Sequence, residues 1–73
     1  MAKVKVELTI PSELKDEPII YKIGRDFKVV PNIIEASFST SMGWAILNIE
    51  GSQEEIDKLL AFLRNKNIKI ELL

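Results

Sequence analysis

The chain has 73 residues, no cysteine and no histidine, and its ten basic and eleven acidic side chains leave a formal net charge of −1. Disulfides are excluded, as are zinc, iron–sulfur and haem sites built from their usual ligands. The commonest general base and the commonest low-pKa nucleophile are missing too, so the composition argues against an enzyme.

The acidic and basic residues alternate without a basic block, so no concentrated positive field marks a nucleic-acid partner. No run of about 18 apolar residues marks a transmembrane helix, and no apolar signal core opens the chain, which favours a cytoplasmic location without membrane insertion. At 47% apolar and 29% charged, residues 1–73 read as one folded domain. A chain of this size hides only about 60% of the surface its unfolded form exposes. Small domains offset that with disulfides, metals or self-association. With the first two excluded, at least a dimer is expected, and no cofactor.

Lys3 to Ile10 alternates strictly, with Val4, Val6, Leu8 and Ile10 on one face, and predicts a first strand. Pro11 to Lys15 is a loop. Asp16 as N-cap and Pro18 in the first turn predict a helix over about Glu17 to Phe27, burying Ile19, Ile20, Ile23 and Phe27. Gly24 on the same side is expected to let that helix approach the sheet closely.

A second strand is predicted over about Val29 to Ser39, with Ile34, Ala36 and Phe38 on one face and Ile33, Glu35 and Ser37 on the other. Pro31 cannot donate to a ladder, which puts this strand at a sheet edge. Thr40-Ser41-Met42-Gly43 reads as the hairpin connection, Gly43 supplying a positive φ. The third strand, Trp44 to Glu50, turns Ala45, Leu47 and Ile49 inward. Gly51 ends it, and Ser52 with Glu55 forms a capping box for a second helix. That helix buries Ile56, Leu59, Leu60 and Leu63 and ends near Asn65 to Asn67. Ile68 to Leu73 is the fourth strand, with Ile70 and Leu72 inward.

The order βαββαβ gives an α+β fold of the ferredoxin-like kind. Four antiparallel strands in order 4-1-3-2 carry both helices on one face. The other face holds Lys3, Lys5, Glu7, Lys69 and Glu71 on one half. Ile33, Trp44 and Ile46 fall on the other half, which is too apolar to stand wet and is expected to be the dimer interface. The charged half lacks the aromatic platforms that bind bases in RNA-recognition domains of this topology.

Several short motifs in order together resemble one family. They are Leu8, Pro11, Pro18-Ile19-Ile20, Phe27, Asn32-Ile33-Ile34, Gly43, Gly51 and the helix running into Ile68-Lys69-Ile70. The chain is similar to NIL domains, named for an Asn-Ile-Leu motif that Asn32-Ile33-Ile34 matches with isoleucine in third place. The resemblance implies a ferredoxin-like fold related to amino-acid-sensing ACT domains. It also implies two contexts. One is the C-terminal end of methionine-importer ATPases, where the domain dimerises and binds methionine to inhibit transport. The other is the N-terminal half of proteins that continue into a four-iron ferredoxin segment associated with sulfur assimilation. Met1 and the run from Pro11 to Tyr21 look closer to the second, yet the cluster cysteines are absent.

The expected function is therefore a regulatory domain that binds a small amino acid, methionine the first candidate, and acts as a homodimer. The expected ligand residues are Asn32, for a directional hydrogen bond, and Ile33, Ile34 and Phe38, as an apolar wall for a thioether. The loop from Pro11 to Asp16 leads to the start of the first helix, whose unpaired N–H groups suit a carboxylate. The alternative is a ligand-free docking domain for an ABC-transporter or ferredoxin-type partner, using Trp44 and the edge of the second strand.

Overall fold

The computed structural model describes all 73 residues, Met1 to Leu73. Period-two alternation forms two long strands, β1 (Ala2–Pro11) and β3 (Met42–Gly51), which pair antiparallel along their full length from Ala2 opposite Gly51 to Pro11 opposite Met42. Outside them lie β2 (Val29–Phe38), against β3, and the short β4 (Lys69–Leu72), against β1. The sheet order β2-β3-β1-β4 is the one expected, with Pro31 on an edge strand. A single 3-10 turn (Ser12–Leu14) and α1 (Ile19–Asp26) join β1 to β2, and α2 (Gln53–Asn65) joins β3 to β4.

Val6, Leu8 and Ile10 of β1 and Ala45, Leu47 and Ile49 of β3 make the floor of the core. Ile19 and Ile23 of α1, and Ile56, Leu59, Leu60 and Leu63 of α2, make its roof, with Val29 and Ile68 closing two sides. No polar side chain is buried. Such a core holds no hydrogen-bond debt and stabilises the fold through apolar burial alone.

The second helix is fixed at both ends. Ser52 Oγ accepts the Glu55 N–H at 3.1 Å, the expected N-cap. The reciprocal half of the capping box is not made. Glu55 Oε1 accepts the Lys28 N–H at 3.0 Å, so this side chain ties α2 to the entry of β2. At the other end the Ile68 N–H reaches the Leu63 carbonyl and the Asn67 N–H reaches the Arg64 carbonyl. Asn67, at φ 64°, is the left-handed residue this Schellman closure requires.

The first helix is shorter than its apolar spacing predicts. It starts at Ile19, and Pro18 holds the N-cap position without a side-chain cap, so Asp16 has no capping role. The physical reason lies in Glu17: its carbonyl takes the Ile19 N–H at 2.8 Å, and its side chain is held by lysines on both helices. Gly24 is exposed, and a Cβ there would meet only the Pro31 ring, Cδ at 3.7 Å and Cγ at 3.8 Å, ordinary contacts. Close approach of helix and sheet does not depend on it.

Two further expectations for β2 and its hairpin are overturned. Ile33 stands opposite Leu47 and Glu35 opposite Ile46, so Ile34 is the extra residue of a β-bulge. Cross-strand partners share a face. Ile33 therefore lies on the helix side with Leu47, away from the face that carries Trp44 and Ile46. Glu35 and Ser37 keep the outward places expected for them. The connection is Ser39 to Ser41, and Gly43 sits inside β3 opposite Ile10 and Phe38. No glycine has positive φ. Gly43 is needed instead because the Phe38 ring lies over it, where a Cβ would come within 2.2 Å of Phe38 Cδ1.

Candidate functional site

Eight residues of α1 are too few to cover β2. Only Val29 of that strand is buried, and everything beyond Pro31 is exposed. On the helix side this leaves Ile33 at 51%, Ile34 at 45% and Phe38 at 55% exposure; Met42, at the start of β3, is 55% exposed as well. The bulge makes this row by turning Ile33 towards the same side as Phe38.

Where the row meets the start of α1, a cavity of about 360 Å³ opens. The end of β1 (Ile10, Pro11), the 3-10 turn (Ser12, Leu14) and the entry to α1 (Pro18 to Tyr21) form one wall. The hairpin forms the other, with Phe38, Ser39, Met42 and Gly43. Ser39 gives that wall its shape. Its Oγ accepts the N–H groups of Ser41 and Met42, both at 3.3 Å, and donates to the Met42 carbonyl at 3.1 Å. Seven of the fourteen lining residues are hydrophobic, so the cavity has an apolar body and a polar rim.

Two features of that rim bear on chemistry. The N–H groups of Ile20 and Tyr21 face no acceptor in the chain, because the helix starts at Ile19 and has no side-chain cap. Glu17 Oε1 accepts from Lys22 Nζ at 2.7 Å and from Lys66 Nζ at 2.6 Å. These two bonds, Lys22 first, hold the Glu17 carboxyl below its ordinary range. Lys66 belongs to the C-terminal end of α2, so Glu17 links the cavity rim to the second helix.

The expected site residues fall in different places. Phe38 lines the cavity. Ile33 and Ile34 lie further along the exposed row and do not line it. Asn32 stands opposite Asn48 on the outer face, exposed and apart from the wall that Phe38 forms. Trp44 and Ile46 are half-buried on that outer face, where Trp44 has Thr9 and Ser37 as neighbours and Ile46 has Glu7 and Glu35. The outer apolar patch is thus smaller than expected, because Ile33 has left it. The loop after Pro11 and the helix start do meet at one site, as the sequence suggested. Ile10, Leu14, Glu17 and Met42 were not anticipated there, since nothing in their spacing distinguishes a cavity wall from core or loop.

No group of three or more acidic side chains is arranged to hold a metal ion, and no helix is long and apolar enough to cross a membrane.

The family model of the NIL domain matches residues 4–72, nearly the whole chain. The protein belongs to the NIL domain family. Among its relatives, the methionine import ATP-binding protein MetN of Bacillus subtilis is 29% identical over 72 residues, which is 93% of this chain and 21% of that protein. The same-named protein of Francisella tularensis subsp. holarctica is 32% identical over the same shares. An uncharacterized protein of Synechococcus elongatus is 26% identical, and there the match covers 96% of this chain and 90% of the relative. This NIL domain therefore spans about a fifth of the transporter ATPases it resembles, and nearly all of the cyanobacterial protein. Its fold is that of the C-terminal domain of an ABC transporter ATP-binding protein from Enterococcus faecalis, with a TM-score of 0.81 at 22% identity over 96% of this chain and 82% of that one.

Proposed function

We propose that this NIL domain is a cytoplasmic regulatory module that binds a small apolar amino acid, methionine the best candidate, and acts as a pair of copies in a methionine-import type of transporter. The observation that carries this reading is the cavity beside the start of α1. Its volume of about 360 Å³ falls at the lower end of the range for small-molecule sites, roughly 300–1,000 Å³. Its Ile10, Leu14, Phe38 and Met42 walls suit an unbranched thioether, and the free N–H groups of Ile20 and Tyr21 suit a carboxylate. That seven relatives are methionine-import ATPases supports the choice of ligand.

Burying the side chain contributes about 2–3 kcal/mol. Each charge-assisted hydrogen bond adds about 1.5–3 kcal/mol. Association costs at least about 4 kcal/mol. With the two N–H groups of Ile20 and Tyr21 the balance is at most about 5 kcal/mol, a dissociation constant of about 0.2 mM or weaker, suited to sensing an abundant metabolite pool. In this reading the second copy covers the exposed row of Ile33, Ile34 and Phe38 beside the β2 edge, whose exposure supports it. A ligand next to that seam would favour one arrangement of the pair by its differential affinity for it.

Titration calorimetry with L-methionine tests the reading. Saturable heat with a matching rise in melting temperature is expected. A folded protein giving no heat at millimolar L-methionine overturns it. The open β2 edge favours a second reading, a docking domain that captures a transporter or ferredoxin-type protein by strand addition without a ligand. In that case a specific partner would stay bound to Asn32→Ala and be lost from Trp44→Ala.

A further inference from the structure

The charge around the cavity indicates which part of a ligand it recognises. Two charged side chains line it, Lys15 and Glu17. Glu17 already carries two lysines, Lys22 and Lys66, on a single oxygen, whereas Lys15 has no ion-pair partner. The charged lining residues sum to zero, and Glu13 and Asp16 flank Lys15 in the same loop; what separates Lys15 from Glu17 is that the first is free of ion pairs whereas the second is doubly paired. An incoming carboxylate meets attraction. An incoming ammonium meets a carboxylate whose Oε1 is already taken by Lys22 and Lys66.

Resting on the reading of this cavity as a ligand site, we propose that it recognises short apolar carboxylates as a class, and that the α-ammonium group of an amino acid is dispensable for binding. The carboxylate sits at the rim with Lys15, and the apolar chain runs to Phe38 and Met42. A 2-oxo acid with a methionine side chain is then as good a ligand as methionine itself. The domain would respond to the combined pool of the amino acid and its oxo acid.

The test titrates the unaltered protein with three probes: L-methionine, 4-methylthio-2-oxobutanoate and L-methionine methyl ester. The oxo acid is expected to bind within about threefold of L-methionine, and the ester at least about tenfold more weakly, the scale of one lost charge-assisted hydrogen bond. Binding of L-methionine with an oxo acid about tenfold weaker, or an ester of equal affinity, overturns the proposal and leaves the ligand site standing. Silence from all three overturns both.

Two variants give opposite signs. Lys15→Gln is expected to weaken the oxo acid about fivefold or more. Glu17→Gln, which makes the rim more positive, should leave its affinity unchanged or raise it. A clear loss of L-methionine affinity in folded Glu17→Gln, with the oxo acid unaffected, would show Glu17 holding an ammonium and would refute the proposal.

Discussion

Gly43→Ala isolates the contact that builds one wall of the cavity. The new Cβ would lie 2.2 Å from Phe38 Cδ1 and 2.6 Å from Cε1, distances no pair of carbons tolerates. Gly43 is buried in β3 between two paired strands, so the backbone cannot yield. The Phe38 ring must swing away. It is 55% exposed, so it has room to move, and somewhat under half of its surface is at stake. If the side chain buries about 200 Å² when fully covered, roughly 90 Å² is lost on leaving. At about 25 cal/mol per Å² that loss is worth about 2 kcal/mol, an upper limit because the ring finds other contacts. Alanine in place of glycine restores about 0.5–1 kcal/mol of strand preference. The net expectation is a destabilisation of about 1–2 kcal/mol with weaker ligand binding. Urea unfolding followed by Trp44 fluorescence, at fixed protein concentration, measures the first, and calorimetry measures the second. A double-mutant cycle makes the reasoning refutable. In a Phe38→Ala background the same Gly43→Ala change should be neutral or slightly stabilising. Equal destabilisation in both backgrounds would mean that the ring is not the obstacle.

Other outcomes follow from the same contacts. Glu17 and Glu55 have folded-state pKa values held below the ordinary 4.5, by Lys22 and Lys66 for the first and by the Lys28 N–H and Lys58 for the second. Their contribution is therefore full above pH 4.5 and fades as pH falls through the folded values; acid unfolding should flatten in Glu17→Gln and Glu55→Gln. Ser52→Ala removes the acceptor for the Glu55 N–H and should cost about 1 kcal/mol in urea unfolding. Ile23→Ala empties a fully buried position between α1 and the sheet and should cost about 2–5 kcal/mol by the same assay. Ile34→Lys puts a charge on the uncovered row, so light scattering should report a monomer if two copies meet there and an unchanged mass if they do not.

The strand order, both helices and twelve of the fourteen core residues, all but Val29 and Ile68, follow from local pattern, because alternation and helical spacing state which side of each element must leave water. Ser52 and Pro31 are equally legible: one has a side chain that caps, the other lacks a donor. The candidate site is less so. The bulge at Ile34 reverses Ile33, and a one-residue slip changes face for every position before it. The lysines on Glu17 come from five and forty-nine residues away, a pairing set only when α2 returns beside the loop. Gly43 read alone suggests a turn, yet its reason is a ring on the neighbouring strand. Amino-acid order thus determined the core faces of β1, β3 and the two helices and in what sequence the elements pack, but not the burial of Ile34, Phe38 and Leu72, which stay exposed. Tertiary structure decided where a ligand could enter, because that depends on how far α1 reaches over β2, and a short helix that starts late leaves an apolar surface that periodicity alone assigns to the core.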